Sequence, residues 1–222
     1  MLSDLASVYC TFGRDPATAP LPTSVIVTSM LVIARAKRRD RVRKASVGGT
    51  PLVLSKTIYG CGVVALATDS PEAEQFATDI GREAQAVDAG FALIFFSQAL
   101  IGADRLAAAL RRQAPWLSYA ACSTAGEITP AGLEEGQAIA ILLPAGSFTV
   151  DSIMIRDLSA AGMSQITAEV EALKRTRRES EGFAQRAGVF ALCFIDGMSF
   201  AEEAVTSALH WGLDDIPLIG GS

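Results

Sequence analysis

The 32 residues from Ala92 to Ser123 read ALIFFSQALIGADRLAAALRRQAPWLSYAACS and decide the predicted fold. They begin inside an unbroken apolar run, Phe91–Phe96, which is typical of a strand covered on both faces. A helix is predicted from about Ala103 to Arg112, because a proline follows, and a second strand over Leu117–Cys122. A crossover of this length joins parallel strands and is almost always right-handed. The segment therefore predicts a strand–helix–strand unit with parallel strands.

The same pattern recurs between Ala191 and Ser222, and the two segments align without a gap at an offset of 99 residues. Each contains an apolar strand, a polar turn, a short helix, a second apolar strand and a small-residue turn that ends in serine. Six positions are identical, namely Ala92, Leu93, Phe95, Ala109, Leu110 and Ser123 with their counterparts Ala191, Leu192, Phe194, Ala208, Leu209 and Ser222. The chain is predicted to contain an internal repeat, and we expect it to be truncated inside the second copy.

Further elements surround the repeats. A strand is predicted at Gly62–Ala67, then a helix that opens with Ser70 and Pro71 as N-cap and first helical residue. The apolar stripe of this helix is predicted to be Ala73, Phe76, Ala77, Ile80, Ala84 and Val87. Two strand-like runs, Gln137–Leu143 and Phe148–Ile155, are separated by a Pro-Ala-Gly turn that favours an antiparallel hairpin. Another helix is predicted from Ser164 to about Arg178, with Ile166, Val170 and Leu173 as its buried stripe. The predicted fold class is α/β: a mixed sheet built from the two strand–helix–strand repeats and an antiparallel hairpin, with helices packed on the sheet.

The first sixty residues differ from the remainder in charge and pattern. They carry nine Lys or Arg against three Asp or Glu, whereas the rest carries ten against twenty-one. Prolines interrupt this segment, and Val25–Ala34 could be a buried strand that the sequence does not place. Residues 1–60 are therefore predicted to be an N-terminal extension of uncertain structure, and residues 61–222 an α/β domain.

Composition excludes several classes of protein. Half of the residues are apolar and 19% are charged, which indicates a globular chain. Its acidic body does not suit a phosphate backbone, so no nucleic-acid partner is predicted. The longest apolar runs are too short to cross a bilayer, and no membrane partner is predicted. Widely spaced cysteines and a single histidine argue against disulfides and metal sites, so a cytoplasmic location is predicted.

The candidate binding residues follow from topology. Ligands of open α/β sheets bind beyond the carboxyl ends of the strands, so polar residues that follow the repeat strands are expected to share one rim of the molecule. The buried carboxylate of Glu127 would need a partner, which could be a ligand amine or an arginine. Asp196 and Gly197 also suit a simple turn. The predicted ligand-binding residues are Ser123, Thr124, Glu127, Asp196, Gly197 and Ser222.

Three motifs resemble the N-terminal FIST domain over roughly Gly62–Ser222. They are Cys122-Ser123-Thr124-Ala125-Gly126-Glu127-Ile128, Ile195-Asp196-Gly197-Met198-Ser199 and Pro217-Leu218-Ile219-Gly220-Gly221-Ser222, in that order. The resemblance implies an intracellular, non-catalytic domain that senses a small ligand, with amino acids proposed as ligands. Some members bind haem, sense nitric oxide and act on histidine kinases. The cofactor is therefore unknown, with haem open, and a signalling partner such as a histidine kinase and an oligomeric state are both compatible with the family.

Two other hypotheses stay open. Ala121–Ala125 is similar to the G-x-S-x-G elbow of a serine hydrolase that would use Ser123 to attack a small molecule, although that elbow requires a strand followed by a helix. His210, the single histidine, would have to complete the triad, but the helical pattern predicts it on a solvent-facing side. The other hypothesis is a degenerate fragment without independent function. No catalytic and no metal-binding residue is predicted.

Overall fold

A computed structural model describes residues 10–13, 29–36, 45–46, 54–129, 132–155, 161–181 and 188–222. The described residues form strands and α-helices in an alternating order typical of α/β proteins. In chain order these are β1 (Cys10–Gly13), β2 (Ser29–Ala36), β3 (Ala45–Ser46), β4 (Leu54–Ile58), β5 (Val64–Thr68), α1 (Ala73–Ala86), β6 (Ala89–Ser97), α2 (Ala103–Gln113), β7 (Ser118–Thr124), β8 (Glu127–Thr129), β9 (Gly132–Glu134), β10 (Ala138–Pro144), β11 (Phe148–Ile155), α3 (Met163–Glu181), β12 (Val189–Ile195), α4 (Glu202–Leu213) and β13 (Leu218–Gly221).

The chain divides into two compact units. Unit 1 comprises Met1–Val25 and Arg38–Phe148, and unit 2 comprises Ile26–Lys37 and Thr149–Ser222. Strands from the first sixty residues take part in both: β1 and β4 pair within unit 1, and β2 pairs within unit 2. The division at residue 60 stays a prediction about domain boundaries, while the sheets themselves extend into the segment before it.

Unit 1 is built on a seven-stranded mixed sheet with the order β1-β7-β6-β10-β5-β4-β3. Strands β6 and β7 are parallel, as predicted, and β10 lies antiparallel between β6 and β5. Helices α1 and α2 pack against each other. The buried stripe of α1 is the predicted one, and it contributes Phe76, Ala77, Ile80 and Ala84 to the core. Burial of this stripe against the sheet stabilises the packed helix by about 25 cal/mol for every Å² of apolar surface that is removed from water.

Unit 2 is built on a four-stranded sheet with the order β11-β2-β12-β13. Strands β12 and β13 are parallel, and β2 pairs antiparallel with β12. Helices α3 and α4 pack closely, because a Cβ added at Gly212 would lie 2.9 Å from the Cβ of Val170. Ile166 and Val170 are buried and Leu173 is partly buried, so the predicted stripe of α3 is confirmed.

The two strand–helix–strand segments have the same internal geometry. Ala92 lies opposite Tyr119 in unit 1, and Ala191, 99 residues later, lies opposite Leu218 in unit 2. The turn after each first strand is closed by the same hydrogen bond, Leu100 N–H to Ser97 O at 3.0 Å and Ser199 N–H to Asp196 O at 2.9 Å. Both helices begin at the same relative position, at residues 103 and 202. The offset read from the sequence therefore holds for register, turn and helix start.

The fold class is confirmed as α/β with mixed sheets and packed helices, but two details of the prediction are wrong. Gln137–Leu143 and Phe148–Ile155 do not form a hairpin, because β10 lies between β5 and β6 while β11 belongs to the sheet of unit 2. The repeats also do not share one sheet, since each supplies the parallel pair of its own. Antiparallel pairing of adjacent strands is found instead in β3 with β4, in β4 with β5 and in the two-stranded ribbon of β8 and β9.

Two element boundaries also differ. Helix α1 begins at Ala73, three residues after the predicted cap, because the Ser70 hydroxyl accepts a 3.3 Å hydrogen bond from the N–H of Glu72 in a turn before the helix. The strand predicted at Gly62–Ala67 is Val64–Thr68, since Gly62, at φ +82°, belongs to the preceding turn. In both cases a polar turn extends further than the hydrophobic pattern shows.

Candidate functional site

The carboxyl ends of three parallel strands lie at one edge of the unit 1 sheet. Strands β5, β6 and β7 run in the same direction and end at Thr68, Ser97 and Thr124. Ser97 lies directly opposite Thr124. The start of the antiparallel β10, at Ala138, lies between the ends of β5 and β6. We call this region the polar edge of unit 1, and it is the place where α/β sheets usually bind ligands.

Glu127 is the central residue of the polar edge. Its side chain is buried, with 2% of its surface exposed. One carboxylate oxygen accepts the hydroxyl of Thr124 at 2.6 Å, and the other accepts the N–H of Gln137 at 3.1 Å. The carbonyl of Gln137 accepts the N–H of Ser97 at 2.8 Å. Glu127 thus has the partners that a buried carboxylate needs, and it joins the ends of β6, β7 and β10.

The β8–β9 ribbon begins at Glu127. Thr129 donates its hydroxyl to a carboxylate oxygen of Glu134 at 2.7 Å, so polar side chains occupy the inner face of the ribbon. The outer face is apolar: Ile128 and Leu133 lie opposite each other and are exposed. Because side chains alternate between the two faces of a strand, Glu127 lies on the inner face of the ribbon.

Ser123 lies inside a strand rather than on a turn. It is buried, it pairs with Phe96 in the sheet, and the chain continues through Thr124 into β8. A nucleophile elbow needs the serine on a sharp turn between a strand and a helix. The structure does not provide that context around Ser123, so the elbow interpretation of Ala121–Ala125 is wrong.

Gln98 belongs to the polar edge and was missed by the sequence analysis. It follows Ser97 at the end of β6, in the turn closed by the Leu100 N–H. Its side-chain oxygen is shielded from water and accepts no hydrogen bond from any residue that the structure describes. A buried carbonyl oxygen without a donor costs about 1–3 kcal/mol, which a bound donor group would recover. A lone glutamine in a turn carries no pattern by which the sequence could have marked it.

In unit 2, Asp196, Gly197 and Ser222 lie at the equivalent edge. Asp196 is buried and follows β12, and its carbonyl accepts the hydroxyl of Ser199. A Cβ added at Gly197 would lie 3.4 Å from Cβ of Ser222 and 3.7 Å from a carboxylate oxygen of Glu202. The three predicted residues of this unit are thus neighbours, with a carboxylate beside them.

The six predicted ligand-binding residues fall into two groups of three. Ser123, Thr124 and Glu127 lie at the polar edge of unit 1, and the other three lie at the edge of the unit 2 sheet. The single rim in the prediction assumed a single sheet, and that assumption is wrong. Within each group the residues are close; their role in ligand binding stays a prediction.

Thiols and metal ligands add little to either edge. Cys122 and Cys193 are buried and Cys61 is half-buried, all as free thiols. Burial raises the pKa of the Cys193 thiol above its ordinary value, so it is a poor nucleophile. No group of three or more His, Cys, Asp or Glu side chains among the described residues could hold a metal ion.

Each unit is thus an α/β unit with polar residues collected beyond the ends of its parallel strands. The family model described as FIST N domain matches residues 90–222, which is 133 of the 222 residues. The chain therefore belongs to the FIST N domain family. No curated protein and no solved structure matches it. Within the described part of the chain, no helix is both long enough and apolar enough to span a membrane.

Haem, which some family members bind, needs an axial ligand inside an apolar pocket. His210 is exposed on α4, next to the exposed Trp211. The opposite face of α4, with Val205, Ala208 and Leu209, is packed in the core of unit 2. The surroundings of His210 in unit 2 therefore do not fit haem, and the prediction of a solvent-facing histidine is confirmed.

Proposed function

We propose that this chain is a cytoplasmic, non-catalytic sensory domain that binds a small ligand and passes the signal to a partner such as a histidine kinase. Family membership across residues 90–222 supports a sensory role, and the ends of β6, β7 and β12 fall inside the matched region. No described feature favours the hydrolase, whose nucleophile would lie within a strand.

The observation that carries a ligand site at the polar edge is the shielded oxygen of Gln98. Glu127 is already engaged by Thr124 and Gln137, so its role is to hold the strand ends in place. The Gln98 oxygen is an acceptor without a donor in the described residues. A ligand with an ammonium or amide group would supply that donor, which agrees with an amino acid as the ligand.

The edge of the unit 2 sheet is a second candidate site for ligand binding. Asp196, Gly197 and Ser222 offer a carboxylate, a backbone position without a side chain and a hydroxyl. Such a set also suits an ammonium-bearing ligand. We therefore propose Ser123, Thr124, Asp196, Gly197 and Ser222, together with Gln98, as candidate ligand contacts, while Glu127 holds the strand ends of unit 1 in place.

A thermal-shift screen against the common amino acids, with haemin as a separate arm, tests the proposal. A ligand that binds the folded state raises the melting temperature by mass action. We expect an amino acid to raise it, and we expect Gln98→Ala to abolish the shift while Gln85→Ala, an exposed glutamine on α1, leaves it unchanged. A flat screen would overturn the proposed ligand class, and a shift that survives Gln98→Ala would move the site away from the polar edge of unit 1.

A further inference from the structure

In unit 1, the outer side of β7 is covered by an antiparallel strand. Strand β1 pairs with β7 so that Gly13 lies opposite Tyr119, Phe12 opposite Ala120 and Thr11 opposite Ala121. Tyr119 and Ala120 are each only 1% exposed. The second strand of the repeat is therefore an internal strand in this unit.

In unit 2, the equivalent strand is an edge. Moving the β7 positions that face β1 forward by 99 residues gives 218–221, which is the whole of β13. Among the described residues, β13 pairs only with β12 and ends the four-stranded sheet. Ile219, the counterpart of the buried Ala120, is 61% exposed. A surface that is covered in one copy is thus not covered by any described residue in the other, and an uncovered edge is a template for strand addition.

Backbone N–H and C=O groups alternate between the two sides of a strand, and this alternation determines which groups of β13 can pair with another strand. The N–H of Ala191 donates to the carbonyl of Pro217 at 2.8 Å, so Pro217 faces β12. Groups along a strand alternate sides, and Leu218 and Gly220 therefore point their N–H and C=O away from the sheet. Tyr119 and Ala121, their counterparts, lie opposite Gly13 and Thr11 of β1.

We propose that β13 pairs antiparallel with β13 of a second copy of this chain, around a two-fold axis at Ile219. Leu218 of each copy would then lie opposite Gly220 of the other, with reciprocal backbone hydrogen bonds. The two Ile219 side chains would lie opposite each other, with Cβ atoms about 4.5–5.5 Å apart. A two-fold contact of this kind closes on itself, so it produces a dimer and not a filament.

The residue order of β13 favours its own copy as the partner. The strand that covers the equivalent edge in unit 1 has the order Thr11-Phe12-Gly13, and β13 has Leu218-Ile219-Gly220. In the proposed register, a second β13 places its glycine where Gly13 lies and its apolar residue where Phe12 lies. The large residue at the first position, Tyr119 in unit 1 and Leu218 in unit 2, faces glycine in both arrangements. The same pattern that seals unit 1 thus fits the open edge of unit 2.

Sedimentation of the full chain, from micromolar to millimolar concentration, tests the proposal. Two reciprocal hydrogen-bonded pairs and one apolar pair make a small interface, so we expect a reversible dimer with twice the 23.3 kDa mass at the upper end. Ile219→Lys should keep the protein monomeric at every concentration, because lysine protects edge strands from pairing. Trp211→Lys removes another exposed apolar side chain of unit 2 and should leave the dimer intact.

Hydrogen exchange of the unsubstituted protein supplies a second readout that does not depend on the variants folding. The amides of Leu218 and Gly220 should become protected as the concentration rises. A chain that is monomeric throughout, or a dimer that survives Ile219→Lys, would overturn the proposal. Concentration-independent protection of both amides would show that the chain itself covers the edge, and would overturn it equally.

Discussion

The two strand–helix–strand segments share the same backbone geometry but differ in the burial of equivalent side chains. At one pair of equivalent positions, unit 1 has the buried Ala121 and unit 2 has Gly220, where an added Cβ would lie 1.9 Å from the carbonyl oxygen of Cys193. At another pair, Ile101 is fully buried whereas Phe200 is 86% exposed and has a φ of 51°. Strand register and turns are thus the same in the two segments, whereas the burial of equivalent side chains differs. The residue at each position therefore depends more on the packing within its own unit than on the shared backbone pattern.

The helix pairs show the same contrast. In unit 1, Glu74 of α1 holds the end of α2 through exposed contacts with Arg112 and Gln113. In unit 2, the buried Lys174 of α3 donates to the carbonyl of Gly212 and to Asp214 at the end of α4. Each repeat helix is held at its C-terminus by a polar side chain of the adjacent helix, on the surface in one unit and in the interior in the other.

Gly220→Ala should produce the largest effect and breaks the comparison directly. The new Cβ would collide with backbone and would require a φ of +155°, which favours glycine, so we expect a loss of about 3 kcal/mol or more in the stability of unit 2. The reverse change in unit 1, Ala121→Gly, should cost only about 1 kcal/mol. Chemical denaturation followed by hydrogen exchange in β7 and β13 measures both; equal losses would show that the two positions are not equivalent in packing.

Glu127→Ala should have the next largest effect. It leaves the half-buried N–H of Gln137 and hydroxyl of Thr124 without their acceptor, and each such group costs up to about 1–3 kcal/mol. We therefore expect unit 1 to lose roughly 2–4 kcal/mol in denaturant titration. Glu135→Ala, the loss of an exposed glutamate near the same ribbon, should change stability by less than about 0.5 kcal/mol. Similar losses for both would mean that Glu127 does not hold the strand ends together.

Glu74→Gln should have the smallest effect, visible only in acid. Hydrogen bonds from Arg112 and Gln113 lower the pKa of Glu74 below its ordinary value of 4.5. A lowered folded-state pKa stabilises the fold above the unfolded value, and this contribution is lost as the pH falls through the folded value. Thermal melts at low salt should therefore show a shallower acid decline in Glu74→Gln than in the unsubstituted chain. High salt should reduce the part of the difference that comes from Arg112, and a difference wholly insensitive to salt would argue against an ion-pair contribution.

Local pattern predicted the elements that local sequence controls. The apolar stripe of α1, the bounds of α2 and the parallel strands of both repeats follow from periodicity and from the crossover rule. Strands β10 and β11 do not form the hairpin that the turn at Pro144 predicted. Long-range pairing of β10 with β5 and β6 outweighs the local turn signal. The positions of β1 and β2 depend on partners more than 100 residues away, which no window of sequence contains.

The candidate site was predictable only in part. Glu127 was expected to need a partner, and its partners, Thr124 and Gln137, are one near neighbour and one backbone amide ten residues on. Gly197 and Ser222 were expected to be close, and they are. Gln98 could not be found, because its significance lies in a missing donor, which is a property of three-dimensional packing and not of residue order.

The position of β2 has a consequence for how the protein is made. It is an inner strand of the unit 2 sheet, yet its partner β12 begins at Val189, more than 150 residues later in the chain. At typical synthesis rates the ribosome needs on the order of ten seconds or more to supply that partner. During this interval the whole of unit 1 can fold, while Met30–Ala36, which is apolar except for Arg35, first gains its neighbour β11 and only later its partner β12. Protein biogenesis, rather than final stability, is therefore where we expect this chain to be most vulnerable to aggregation and most dependent on chaperones.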